Sequence, residues 1–327
     1  FMTDDVGVPV PEERPSTEAG SVARTRSAGS SSTDAHHLAD VREAGRVSTG
    51  PSPASCTDHR VLAGAAYGDG RNLSARQALY HWMRPRHDPA GMVSSRVAAH
   101  LNRYPPHGPG RVLDVGAGNG LYTRRLHVDH PELAVVAMDI SPGILREVPR
   151  PTLVADAARL PFADRCLEVV LAMHMLYHLV DPDAGIAELA RVLVPGGLAV
   201  ISTNHSRDKQ ELDQLWQAAA RDVLGTPDVP RRISLSSRFP LEVVVDRLRQ
   251  RFEDVETIDL VGTIEVPTPG PIIAHLASYQ AWAEQTGVPF QAIIDRTAHR
   301  AADHIDKHGG YAITSHAGIV VGIRPRD

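Results

Sequence analysis

Three glycines, three carboxylates and a short run of histidine and tyrosine have the types and spacing to do chemistry in this 327-residue chain. Gly116, Gly118 and Gly120 fall two apart in Arg111-Val-Leu-Asp-Val-Gly-Ala-Gly-Asn-Gly120. Glycine admits positive φ and lets backbone approach a ligand closely. A helix starting at Leu121 would add its free N–H groups to the same corner. The pattern is G-x-G-x-G, not the G-x-G-x-x-G of a dinucleotide fingerprint. Asp139 follows Gly120 by nineteen residues, at the end of the apolar run Ala134–Met138. A carboxylate there can accept two hydrogen bonds from a ribose diol. Its other reading is a cap for the turn at Ser141-Pro142.

His174, Tyr177 and His178 follow a second apolar run, Leu167–Ala172. Imidazole titrates near ~6.5 and suits a general base. Each histidine can equally shape a wall, and Tyr177 can orient an acceptor or pack. If the segment turns helical, the three share one face. His174 and His178 also have the i, i+4 spacing of helical metal sites, with Asp181 and Asp183 close by. A third clear ligand and a glutamate are missing from that signature, so no metal is expected. His205 is a further candidate base.

The elements that must position these groups alternate in type. Val112–Val115, Ala134–Met138, Leu153–Ala155, Leu167–Ala172 and Leu198–Ser202 read as buried strands. Helical segments separate them, including Ala184–Val194, with Ile186, Leu189, Ala190 and Leu193 as its apolar stripe. Pro195-Gly-Gly197 is expected to break that helix. Strands alternating with helices predict an α/β fold, a doubly wound Rossmann-like parallel sheet with ligands outside the carboxyl ends of its strands. Before the sheet, Asn72–Arg84 and a stretch carrying Val93, Val97 and Leu101 read as helices. After it come helices around Leu212–Val223, Leu241–Phe252, Ile272–Trp282 and Phe290–Lys307, with strands at Val255–Val266 and Ile319–Ile323.

The glycine stretch, preceded by Asp114, resembles motif I of class I S-adenosylmethionine-dependent methyltransferases, of the methyltransferase-11 type. Four more segments resemble that family in order: Val135–Ser141, Asp156–Phe162, Val169–Leu179 and Glu188–Ser202. The resemblance implies a seven-stranded sheet with its last pair antiparallel, N-terminal helices over the cofactor, and a helical lid inserted after strand 5. It implies S-adenosyl-L-methionine as cofactor, with Asp114 on the methionine ammonium and Asp139 on the ribose. Asp156 would take the adenine amino group and the Ala157 N–H a ring nitrogen. Gly116, Ala117, Gly118, Asn119, Ile140 and Met173 would complete the cofactor contacts, with Arg76 and Tyr80 facing the methionine carboxylate. His178, His174 and Tyr177 would then meet the acceptor beside the methyl group.

Formal net charge is −5 with 22% charged residues, so no nucleic-acid partner is expected. No apolar run reaches the ~18 residues of a membrane span. Cys56 and Cys166 cannot build a disulfide framework and fit a cytoplasmic protein. Residues 1–60 contain no aromatic residue after Phe1, no Ile and one Leu; such composition predicts a disordered tail. The expected division is 1–60 tail, 61–110 helical cover, 111–205 cofactor core, 206–310 lid with strand 6, and 311–327 edge strand. The function expected is methylation of a small-molecule acceptor, a specialised metabolite or its precursor, by a monomer or homodimer. The composition, rich in Ala, Arg, Gly and Pro, resembles high-GC actinobacterial proteins, and such lidded enzymes there tailor metabolites. The alternatives are a tRNA or quinone-precursor methyltransferase, and a non-methylating cyclase, isomerase or binding module on the same fold.

Overall fold

The structure, a computed structural model, describes residues 56–283 and 287–326. Most of the expected tail, residues 1–55, therefore lies outside the described residues.

Buried β-branched and aliphatic runs make the sheet. Strands β1 (Met83–Arg84), β2 (Arg111–Val115), β3 (Ala134–Asp139), β4 (Thr152–Val154), β5 (Leu167–Met173), β6 (Leu193–Asn204), β7 (Glu253–Val266) and β8 (Tyr311–Ile323) form one eight-stranded sheet. Its order is β1-β7-β8-β6-β5-β2-β3-β4. From β4 to β6 neighbours are parallel, whereas β8 runs antiparallel to both β6 and β7. The chain winds outward from β2 in both directions, so a crevice opens outside the carboxyl end of β2, between β5 and β3. Seven strands were expected; the eighth is β1, a two-residue edge paired with Ile264 and Thr263 of β7.

The strands alternate side chains across the sheet. On one face Val112, Val135, Val169 and Leu171 pack with Val93, Val97 and Leu101 of α3 (Pro89–Arg103) and Leu126 of α4 (Leu121–Asp129). On the other, Leu113, Val170 and Ala172 pack with Ile186 and Leu189 of α5 (Pro182–Val192) and with Leu212, Leu215 and Trp216 of α6 (Gln210–Leu224). The remaining helices are α1 (His59–Val61), α2 (Arg71–Ala78), α7 (Leu241–Leu248), α8 (Gly270–Ala277), α9 (Gln280–Ala283) and α10 (Phe290–His308). α1 and α2 precede the sheet. The other four follow β6, with α8 to α10 set between β7 and β8.

Two expectations change in detail. The helix predicted over 72–84 is α2 followed by a 3-10 turn, Leu79–Trp82, and then β1. Arg84 precedes Pro85, which disfavours helical backbone there, and β7 offers an edge to pair with. The Asn72 amide, in the first turn of α2, donates to the Ala65 and Ala66 carbonyls at 3.2 Å each. α5 stops at Val192, ahead of Pro195-Gly196-Gly197. That tripeptide lies inside β6, where the pairing shifts from Leu167↔Leu193 to Val169↔Leu198 and Gly196 takes φ 79°.

Candidate functional site

Along the carboxyl ends of the parallel strands runs one cavity of about 550 Å³. Its wall passes from Asp156 and Ala157 after β4, past Asp139 and Ile140 after β3, to Gly116–Asn119 after β2. It continues over Met173 and His174 to Asn204 of β6, Leu260 of β7 and Ser315, Ala317 and Ile319 of β8. α2 and α8 close it from above with Arg76, Gln77 and His275.

The glycine corner forms as its spacing predicts. Gly116, Gly118 and Gly120 take φ of 66°, 56° and 76°. A Cβ on Gly116 would sit 2.7 Å from Met175 Cβ, so the corner is closed to side chains. Asp139 holds the corner: one oxygen accepts from the Gly118 N–H at 3.0 Å and the other from the Ser141 N–H at 2.9 Å. The cap and the cavity wall are thus the same carboxylate. Burial raises its pKa against these backbone bonds. Asn119 turns its amide away to Gln77 Oε1 of α2 at 2.8 Å, which ties the cover to the corner. Asp156 accepts from the Ala158 N–H at 2.8 Å and faces His59 at 3.7 Å.

Asp114 is 1% exposed and stands behind the wall rather than in it. Thr123 of α4 donates to its Oδ2 at 2.6 Å, which turns the carboxylate into the core, and Oδ1 meets no partner. Burial pushes its pKa up to about 6.

Arg76 reaches the cavity as expected, inside an aromatic cage. Its guanidinium lies 4.8 Å from the Tyr67 ring, 5.1 Å from Tyr279 and 5.6 Å from Trp282. Nε donates to the Asn72 carbonyl and Nη1 to the Tyr67 hydroxyl at 3.1 Å each. Nη2 is buried and unpartnered. Tyr80 belongs to a second network: Lys209 Nζ, 3% exposed as a residue, donates to its hydroxyl at 2.7 Å and to Asp208 Oδ2 at 2.5 Å. Although burial opposes the ammonium, Asp208 and Tyr80 raise its pKa.

His174, Tyr177 and His178 all line the cavity. They do not form the helical face that would align them. His174 has φ 54°, and only Leu176–His178 make a 3-10 turn. The i, i+4 metal geometry is therefore lost, and Asp181 serves instead as the N-cap of α5, accepting from the Asp183 and Ala184 N–H groups. No group of three metal-ligating side chains occurs among the described residues. Both nitrogens of His178 are engaged, Nε2 with the Tyr67 hydroxyl at 2.9 Å and Nδ1 with the Cys56 carbonyl at 3.2 Å. Burial lowers the pKa of His178 to about 3 and of His174 to about 4. Burial likewise keeps the Tyr177 hydroxyl well above its usual range. His205 is outside the cavity wall, stacked 4.5 Å from His316 and 3.2 Å from Glu242.

Sequence reasoning missed Tyr67 and Tyr279 of the Arg76 cage, the Asp208–Lys209 pair, and His275. His275 left one signal: a single histidine in the apolar run Ile272-Ile-Ala-His-Leu276.

Over residues 113–201 the sequence matches the family model of a methyltransferase domain. This bears out the resemblance drawn from the motifs. A 115-residue stretch, 33% of this chain, is 36% identical to a malonyl-[acyl-carrier protein] O-methyltransferase of Hahella chejuensis, covering 41% of that protein. A 135-residue stretch, 37% of this chain, is 38% identical to a demethylmenaquinone methyltransferase of Mycobacterium sp. (strain KMS), covering 57% of it. The chain spans about half the length of the curated relatives it matches. The solved structure of YcgJ protein from Bacillus subtilis covers 71% of this chain and 99% of its own, with TM-score 0.43 and 17% identity.

Proposed function

We propose that the protein transfers a methyl group from S-adenosyl-L-methionine to a small molecule held in the same cavity. The observation that carries this reading is the continuity of one cavity from Asp156 and Asp139, past the glycine corner, to the polar groups on β6, β8 and α8. When bound, the cofactor supplies an electrophilic sulfonium methyl, and holding a nucleophile in line with it yields much of the rate.

The residues present suit that cofactor. Asp139 keeps lone pairs for a diol after accepting two backbone N–H bonds. Asp156 and the Ala157 N–H stand together at the far end, where the adenine would lie. Arg76 offers a buried, unpartnered Nη2 to the methionine carboxylate, and Asp114 offers an unpartnered Oδ1 toward the ammonium, through water because it stands behind the wall. Gly116, Ala117, Gly118, Asn119, Ile140 and Met173 form the wall between. His178 holds Tyr67, and Tyr67 holds Arg76, at 2.9 and 3.1 Å. Its role is thus to fix the cage, while His174 and Tyr177 shape the wall beside the methyl position.

The acceptor proposed is a specialised metabolite or its precursor. A quinone precursor is the second reading, favoured by the apolar lining Leu179, Leu235, Leu260 and Ile319. Titration calorimetry with S-adenosylhomocysteine tests the cofactor reading. Wild type is expected to bind it, and Asp139→Asn to bind at least ~10-fold more weakly, the loss of about 1.4 kcal/mol. No heat with wild type would sink the proposal.

A further inference from the structure

Buried polar atoms in folded proteins are almost always hydrogen-bonded, so unpartnered ones ask for an explanation. Among the described residues eight buried side-chain atoms have no partner, and six of them belong to residues that line this one cavity. Two of the six are Arg76 Nη2 and Ser202 Oγ. The other four are both ring nitrogens of His275, Ser315 Oγ and Asn204 Oδ1. Asn204 and Ser315 come from neighbouring strands, since Asn204 pairs with Ala317 of β8. His275 comes from α8, beside Tyr279 of the Arg76 cage, and it is only 3% exposed.

The neighbours of His275 are already committed. Lys209 is taken by Asp208 and Tyr80. Arg232 donates to Asp213 Oδ1 at 2.7 Å. Tyr279 meets the imidazole ring edge-on, 5.4 Å between centroids, and supplies no ring-nitrogen partner. Burial first, then the cations Lys209, Arg232 and Arg76, hold the imidazole unprotonated, well below its usual pKa, against a weaker contact with the Arg76 backbone that raises it and leaves the other ring nitrogen free to accept. A neutral imidazole has one acceptor nitrogen and one N–H donor. Flat or apolar side chains line the same cavity, among them Tyr80, Tyr279, Leu235, Leu260 and Ile319.

We infer that the part of the cavity lined by His275, Asn204 and Ser315 is the acceptor subsite and that it takes a hydroxyl-bearing aromatic ring, with a His275 ring nitrogen accepting the hydrogen bond of the hydroxyl. Asn204 Oδ1 and Ser315 Oγ receive a second polar group of the same acceptor. This inference deepens the methyltransferase reading and rests on it. A site built to pair with a hydroxyl rejects the analogue that lacks it, because its own buried groups are then left unpaired.

The test uses two probes that share a ring, 4-nitrophenol and its methyl ether 4-nitroanisole, titrated into the full chain with and without S-adenosylhomocysteine in mildly acidic buffer, where 4-nitrophenol keeps its proton. Wild type is expected to prefer 4-nitrophenol by ~10-fold or more, one charge-neutral hydrogen bond in a buried site. His275→Phe keeps the ring and removes both nitrogens; it is expected to bind the two probes alike while S-adenosylhomocysteine affinity is unchanged. His275→Gln restores an acceptor and is expected to recover most of the preference. Equal binding of the probes by wild type, binding of neither, or a preference that survives in His275→Phe would overturn the inference. Failure of the cofactor reading is seen separately, as wild type that discriminates the probes and ignores S-adenosylhomocysteine.

Discussion

Asp114 shows what a buried carboxylate contributes when one of its oxygens has no partner. In an unfolded chain its carboxyl titrates near 3.8, and in the fold at about 6. Between those values the folded chain binds more protons than the unfolded one, so this group's contribution is most favourable below about pH 4 and is lost as pH rises through 6. The difference amounts to about 3 kcal/mol at neutral pH. Asp114→Asn is expected to raise the denaturation midpoint of the ligand-free protein at pH 7.5 more than at pH 4.5, and to weaken S-adenosylhomocysteine binding. Urea titrations at the two pH values check the first, calorimetry the second. Asp114 and Asp139 were legible in the sequence because glycine spacing and strand ends are local properties. The Arg76 cage was legible only in part. Arg76 and Tyr67 sit nine residues apart, but Tyr279 and Trp282 arrive from a helical region some 200 residues on. No local pattern in Gly270–Ala277 says that its histidine points at a cavity made mostly by other segments.

At the scale of elements, the cover formed by α1, α2 and the turns around them is what makes the site a cavity. It touches the sheet through close contacts that leave no slack. Ser141 Oγ donates to the Tyr67 carbonyl at 2.7 Å, and a Cβ on Gly143 would fall 2.0 Å from the Gly68 carbonyl oxygen. A backbone carbonyl cannot step aside as a flexible side chain can. Gly143→Ala is therefore expected to lift the cover from the loop after β3. S-adenosylhomocysteine affinity should fall ~10-fold, a loss of about 1.4 kcal/mol, with the circular dichroism of the sheet unchanged. Unchanged affinity would show that the cover does not need this contact. The doubly wound core was readable because each strand and helix carries its own period of apolar residues. The strand Met83–Arg84 was not readable, because two residues have no period. They are extended only where Thr263 and Ile264 of β7 receive them. The break of α5 was misplaced by two residues for a similar reason: β6 draws Leu193 and Val194 into its ladder through pairing with Leu167.

For the whole molecule, buried histidines set the response to acid. Free histidine titrates near 6.5, whereas His174 and His178 do so at about 4 and about 3 because the fold buries them. Above about pH 6.5 both states are neutral and full stability is present; as pH falls the unfolded chain takes up protons that the folded one refuses. Stability is expected to drop between pH 6.5 and 4, against the smaller opposite trend of Asp114. Denaturation midpoints across that range check it, and His178→Gln should flatten the curve; a midpoint higher at pH 5 than at pH 7 would contradict the burial of these rings. The pairing of β1 with β7 has a further consequence, for the order in which the chain is made. His87, just after β1, bonds the Val261 carbonyl at 3.0 Å across 174 residues of sequence. The cover leaves the ribosome early, yet the edge that receives it is synthesised only after all five parallel strands. During translation the glycine corner and its carboxylates can assemble as soon as β5 and β6 emerge. The cover's contacts with Ser141, Gly143 and Asn119 can form at that stage as well, but the edge Met83–Arg84 stays unpaired until Thr263 and Ile264 of β7 are made.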